Sequence, residues 1–143
     1  MPLPRFHRVD FRAIPFERLM LYFGYYTLGL GLLLFFPVTL DMLRIARPAH
    51  TAWTELVAFL VMFTGLVVVW CARNIRTRAG LLYWKGILGV VLGLHLAWFG
   101  FIRYSGAMMG VFGVVDLAMG LVILRRLPTE VRLSHEQLLR DIL

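Results

Sequence analysis

Charged residues are scarce in this chain. Asp, Glu, Lys and Arg together make up 16% of its 143 residues, while 60% are hydrophobic and the mean hydropathy is +0.78. A soluble domain carries about 25% charged residues, which keep its surface hydrated. The shortage of charge therefore excludes an ordinary soluble monomer and indicates that lipid surrounds most of the chain.

Cysteine and lysine are almost absent. The single cysteine, Cys71, excludes a disulfide within one chain, and no second Cys or His lies beside it at metal-ligand spacing. The net charge of +7 comes from fourteen Arg and one Lys against eight acidic residues. These cations flank the apolar runs, so they suit membrane orientation better than nucleic acid. We expect no nucleic-acid partner, no metal and no cofactor.

Motifs of catalysis are missing as well. The chain contains no Gly-rich phosphate loop, no nucleophile elbow and no metal-ligand pair on one helix. The longest segment outside the predicted membrane helices is the 19-residue tail 125–143, which is too short for a soluble catalytic domain. We therefore predict that the protein is not an enzyme.

What the chain does have is long apolar runs bounded by charged residues. Four runs predict membrane-spanning helices at about 19–40, 54–72, 83–103 and 105–124. At 1.5 Å of rise per residue, each is long enough to cross a hydrocarbon core of roughly 30 Å. The sequence thus predicts an all-α membrane protein, a bundle of four transmembrane helices over residues 19–124.

The distribution of positive charge predicts the orientation of this bundle. The arm 1–18, the segment 73–85 and the tail 125–143 hold twelve Lys and Arg residues, whereas the 41–55 loop and Arg103 hold three. Because the more positive side of a membrane protein faces the cytoplasm, we expect both termini there.

Both terminal segments have amphipathic features. The arm 1–18 places apolar and Arg residues on adjacent helical faces, which predicts either an interfacial helix or a partly ordered arm whose arginines only enforce topology. In the tail, Pro128 is expected to end the last membrane helix. Ser134 and Gln137 have capping-box spacing, which predicts a short final helix that docks on the bilayer or on a partner.

Glycine stripes mark the third and fourth predicted helices. Small residues let two helix backbones approach closely in lipid. We therefore predict that these two helices pack together, and that leucine at Gly93 or Gly110 destabilises the protein more than leucine at Gly31, which is outside both stripes. The predicted helix-packing glycines are Gly86, Gly89, Gly93, Gly100, Gly106, Gly110, Gly113 and Gly120.

Asp116 is the one carboxylate in the interior of the four apolar runs, since Glu55 lies at the start of its run, and Asp116 shares the glycine face of the last helix. An aspartate at that depth costs at least ~2.5 kcal/mol on insertion scales, so it needs a partner or a role. Thr27, Thr64 and His95 fall at similar depth and predict a polar cluster. The structural interpretation is a hydrogen bond to Thr or Tyr, or an ion pair with a cation such as Arg103; the functional one is a proton or cation site.

His95 is a doubtful member of that cluster because it turns about 200° away from Gly93 on its own helix. It shares its face with apolar residues, where a histidine could instead hold a haem or chlorophyll metal.

Three stretches carry a resemblance to known proteins: YFGYYTLGLGLLLFFP in the first predicted helix, NIRTRAGLLYWKG before the third and GVVDLAMGLVILRRL in the fourth. In this order of features the chain resembles the small four-helix membrane proteins of bacteria that include those grouped as DoxX-like. The resemblance implies a bacterial inner-membrane setting and no defined activity.

These features favour a non-catalytic accessory or interaction subunit. Its expected partners are the lipid bilayer and other membrane subunits or further copies of itself. Two alternatives stay open at this point. One is a small proton- or cation-coupled transporter that uses Asp116, and the other is a membrane redox subunit that holds a cofactor on His95.

Overall fold

The structure is a computed structural model that describes residues 14–45, 51–103 and 106–140. All regular secondary structure in these residues is helical. The helices are α1 (Phe16–Leu34), α2 (Pro37–Met42), α3 (Thr51–Ala72), α4 (Ala79–Phe101), α5 (Ala107–Val131) and α6 (His135–Arg140).

Three of these helices, α3, α4 and α5, are long and apolar enough to cross a membrane. The expectation of a helical, multi-pass membrane protein is therefore confirmed at that level. Helix α1 has 19 residues but is not one of the three. It is less apolar because Glu17, Arg18 and three tyrosines fall within it.

The four long helices form two antiparallel pairs, α1 with α3 and α4 with α5. The pairs share a core mainly at one end, which we call the basic end: the start of α1, the 73–78 turn, the end of α5 and α6. The buried side chains there are Phe16, Met20, Cys71, Ala72, Ala79, Leu82, Tyr83, Ile123, Leu127 and Leu138.

The predicted bounds of the first helix, 19–40, are wrong at both ends. Helix α1 begins at Phe16, so the last residues of the predicted arm 1–18 belong to it, while residues 1–13 lie outside the described residues. The helix stops at Leu34 because Phe36 is extended (φ −94°, ψ 119°) before Pro37, the conformation that proline imposes on the residue preceding it. Pro37 then opens the short helix α2.

The prediction that Pro128 ends the last helix is also wrong. Helix α5 continues through Pro128 to Val131 and stops at Arg132, which has a left-handed φ of 59°. The proline lies in the last turn, so few helical hydrogen bonds depend on it, and its own carbonyl accepts one from the Leu133 amide at 3.2 Å.

The capping box of the tail is confirmed. The Ser134 amide donates to Gln137 Oε1 at 2.9 Å, and the Gln137 amide donates to Ser134 Oγ at 3.2 Å. These reciprocal bonds satisfy two amides that would otherwise lack acceptors at the start of α6.

Helix α6 packs on α4 of the same chain, and the expectation that it also docks on the bilayer or on a partner stays a prediction. Leu138 is fully buried in the basic-end core. Tyr83 Oη and His135 Nδ1 are hydrogen-bonded at 2.7 Å, and Trp84 Nε1 donates to the Leu139 carbonyl at 3.4 Å. The tail is thus part of the folded bundle.

Candidate functional site

An ion pair joins α4 and α5 inside the apolar part of the bundle. Lys85 Nζ lies 3.8 Å from Asp116 Oδ1, and the two side chains are only 12% and 27% exposed. The charge pattern of the sequence counts Lys85 among the orienting cations of the 73–85 segment, although the predicted helix 83–103 also contains it. In the structure α4 begins at Ala79, so Lys85 lies about 9 Å along the helix and pairs with Asp116.

The backbone spacing between α4 and α5 explains why this pair forms. Gly89 lies on α4 one turn after Lys85, and a Cβ there would be 3.2 Å from the Asp116 carbonyl oxygen. The helices therefore approach closely enough for a short carboxylate to meet a long ammonium side chain. An unpaired charge at this depth costs at least ~2.5 kcal/mol, which each partner reduces for the other.

Helix α1 closes one side of the pair. The ammonium of Lys85 lies 5.4 Å from the centre of the Phe23 ring, where a cation is attracted to the π face. Tyr26 stacks against Phe23 with centroids 6.4 Å apart. The site is thus built by α1, α4 and α5.

The predicted polar cluster around Asp116 does not form. Thr27 donates to the carbonyl of Phe23 at 2.9 Å, and Thr64 donates to that of Leu60 at 2.8 Å. Each hydroxyl is satisfied four residues back on its own helix, so neither needs an interhelical partner.

His95 and Arg103 also lie away from Asp116. His95 is exposed on α4, with its ring centre 4.6 Å from that of Phe99. The Arg103 guanidinium lies 6.0 Å from the same Phe99 ring, just past the end of α4. Arg103 is therefore not the cation that pairs with the carboxylate.

Seven of the eight predicted glycines lie between α4 and α5. A Cβ on Gly93 would be 2.5 Å from the Leu117 backbone nitrogen, and one on Gly120 would be 2.7 Å from the Gly86 carbonyl oxygen. Gly106 is the exception. It precedes α5 with φ +118°, and its Cβ would strike the Arg44 carbonyl in the loop after α2.

A second glycine interface, between α1 and α3, was missed. A Cβ on Gly24 would be 2.6 Å from Val69, one on Gly65 would be 2.5 Å from the Leu28 amide nitrogen, and one on Gly31 would be 2.6 Å from the Met62 nitrogen. Gly31 is therefore packed as closely as Gly93, and the spacing does not support the expectation that leucine is the milder change at Gly31. The seven-residue spacing of Gly24 and Gly31 was the available signal.

The site combines one neutralised ion pair with aromatic rings. Among residues 14–45, 51–103 and 106–140, no group of three or more His, Cys, Asp or Glu side chains is placed to hold a metal ion. The pair can anchor α4 to α5, and the partly exposed carboxylate can accept a proton or a cation. No family model, curated protein or solved structure matches this chain.

Proposed function

We propose that the protein is a non-catalytic membrane subunit that assembles with other membrane helices. The observation that supports this is the Lys85–Asp116 pair, in which a lysine and an aspartate of the apolar helices neutralise each other within the chain. Helix α3 exposes an apolar and aromatic face. Its exposed side chains include Trp53, Leu56, Leu60, Phe63, Leu66 and Trp70.

A photo-crosslinking residue on α3 tests this proposal. Placed at Phe63, which is 64% exposed, it is expected to yield a discrete adduct with another membrane protein or a second copy of the chain in native membranes. Placed at the fully buried Met20, it serves as the matched control and should give no adduct between chains. Adducts with lipid alone at Phe63, together with a monomer after purification in mild detergent, would contradict the subunit function.

The proposed setting is the bacterial inner membrane, with four spans and both termini in the cytoplasm. The packing of α1 supports the fourth span, because α1 lies antiparallel against α3 from Gly24 to Gly31. At 1.5 Å per residue its 19 residues extend about 28 Å. The arginines of the 73–78 turn and of the end of α5 support the orientation of the basic end toward the cytoplasm.

Cysteine labelling tests this topology. In a Cys71→Ala background, Met42→Cys is expected to react with an impermeant maleimide added to intact cells, because Met42 is 79% exposed on α2 at the end opposite the basic end. Thr77→Cys, in the exposed 73–78 turn, should react only after the cells are opened. Labelling of Thr77→Cys from outside would reverse the orientation.

A second candidate function is proton- or cation-coupled transport. It is favoured by the position of Asp116, whose side chain keeps 27% of its surface exposed and pairs with Lys85, which lies beside the Phe23 ring of α1 in the other helix pair. A carboxylate at the junction of two helix pairs is placed to bind and release a cation if the pairs move. The Asp116 variants described in the Discussion separate this candidate from the first.

A further inference from the structure

A cavity of about 400 Å³ opens at the basic end. Phe16 and Glu17 at the start of α1, Arg73 and Arg76 of the turn between α3 and α4, and Glu130 near the end of α5 line it. Five charged or aromatic side chains from three parts of the chain thus surround one space. None of them belongs to the Lys85–Asp116 site.

Arg73 and Arg76, the two arginines of the cavity, differ from the neighbouring arginines in their lack of bonded partners in the part of the chain that the structure describes. Arg78 donates to the Trp70 carbonyl and lies 3.6 Å from the centre of the Trp70 ring, and Arg126 donates to Glu130 at 3.3 Å. Arg73 and Arg76 are exposed, and their guanidinium groups make no ion pair or hydrogen bond with the described residues. Two free guanidinium groups at one cavity are suited to a phosphate group, which they bind through paired N–H donors.

The two carboxylates of the cavity also differ in whether they have a partner. Glu130 is engaged by Arg126, whereas Glu17 is exposed and makes no ion pair with the described residues. Within the described part of the chain, the cavity therefore offers two unpaired cations on the turn and one unpaired anion on α1. A ligand that carries a phosphate and an ammonium group a short distance apart matches both.

We propose that this cavity binds the headgroup of an aminophospholipid, with the phosphate on Arg73 and Arg76 and the ammonium on Glu17. The position of the cavity relative to the apolar part of α3 favours a membrane lipid, rather than a soluble molecule, as the source of this headgroup. The turn follows Ala72 directly, where the apolar segment of α3 ends. Trp70, 52% exposed one turn earlier, is at the level that tryptophan favours beside the headgroups.

Native mass spectrometry of the full chain in detergent tests the assignment. With phosphatidylethanolamine and phosphatidylglycerol added at equal concentration, the protein is expected to retain phosphatidylethanolamine preferentially. Arg73→Gln/Arg76→Gln should weaken this binding about tenfold, as expected when charged hydrogen bonds worth about 1.4 kcal/mol are lost. Arg18→Gln/Arg125→Gln is the matched control, since it removes the same charge from the basic end outside the cavity and should change little.

Glu17→Gln provides the independent variant. It should leave phosphate binding intact and abolish the preference for phosphatidylethanolamine over phosphatidylglycerol. Equal retention of both lipids by the unaltered chain, or equal losses in the cavity and control doubles, would overturn the proposal. Glycerophosphoethanolamine has the same headgroup but no acyl chains. If it displaced the lipid at equimolar concentration, the assignment of the ligand to a membrane lipid would be overturned.

Discussion

Lys85→Met is expected to destabilise the bundle by about 2 to 4 kcal/mol, whereas Lys85→Met combined with Asp116→Leu should recover most of that loss. Removal of one partner leaves the other charge unpaired in an apolar setting, and replacement of both removes the need for pairing. The free energy of unfolding, measured by titration with SDS in mixed micelles, reports the difference. Arg103→Met is the matched control, because Arg103 lies outside the apolar part of α4.

Substitutions of Asp116 itself connect stability to function. Asp116→Glu keeps a carboxylate within reach of Lys85 across the present 3.8 Å separation and should preserve folded protein, whereas Asp116→Asn should reduce it. An Asn variant that folds normally but loses proton- or cation-dependent flux in vesicles would replace the subunit function with transport. If the Lys85→Met/Asp116→Leu double variant were as unstable as Lys85→Met alone, the loss of stability in the single variant would not come from breaking the ion pair.

Leucine at Gly93 or Gly31 is expected to lower the free energy of unfolding by about 3 kcal/mol or to prevent folding. In both cases the new side chain would begin 2.5 to 2.6 Å from a backbone nitrogen of the facing helix, which cannot move without separating the helices. Gly29→Leu is the matched control on α1, because nothing lies within 4 Å of its Cβ position.

Folded yield and SDS-unfolding midpoints measure these glycine effects. Gly31→Leu should resemble Gly93→Leu and differ from Gly29→Leu, although Gly29 and Gly31 are two residues apart. Equal outcomes at all three positions would mean that close helix approach does not stabilise either pair.

The apolar runs were sufficient to predict the long helices, because the need to satisfy backbone hydrogen bonds in lipid leaves few alternatives. The same runs did not predict the partner of Lys85. The residue was counted with the cations of the 73–85 segment, yet α4 starts at Ala79 and its ammonium pairs with Asp116 in the bundle. That pairing depends on the register of two helices, which no single helix sequence contains.

The glycines show the same division between local and tertiary information. The stripe on α4 was recognisable because five small residues recur on one face. Of the three glycines of α1, Gly24 and Gly31 meet α3, whereas Gly29 is open. Which glycine of a helix meets a neighbour is decided by where the neighbour lies. Thr27 and Thr64, in contrast, were predictable as locally bonded hydroxyls.

The separation of Lys85 and Asp116 on consecutive helices also bears on how the chain enters the bilayer. During synthesis α4 leaves the ribosome before α5, so its ammonium reaches the translocation machinery while the neutralising carboxylate has not yet been made. Helix α4 is therefore expected to wait near the headgroups, with the lysine extended toward water, until α5 follows. The two helices then partition into lipid together, with the lysine and the aspartate neutralising each other.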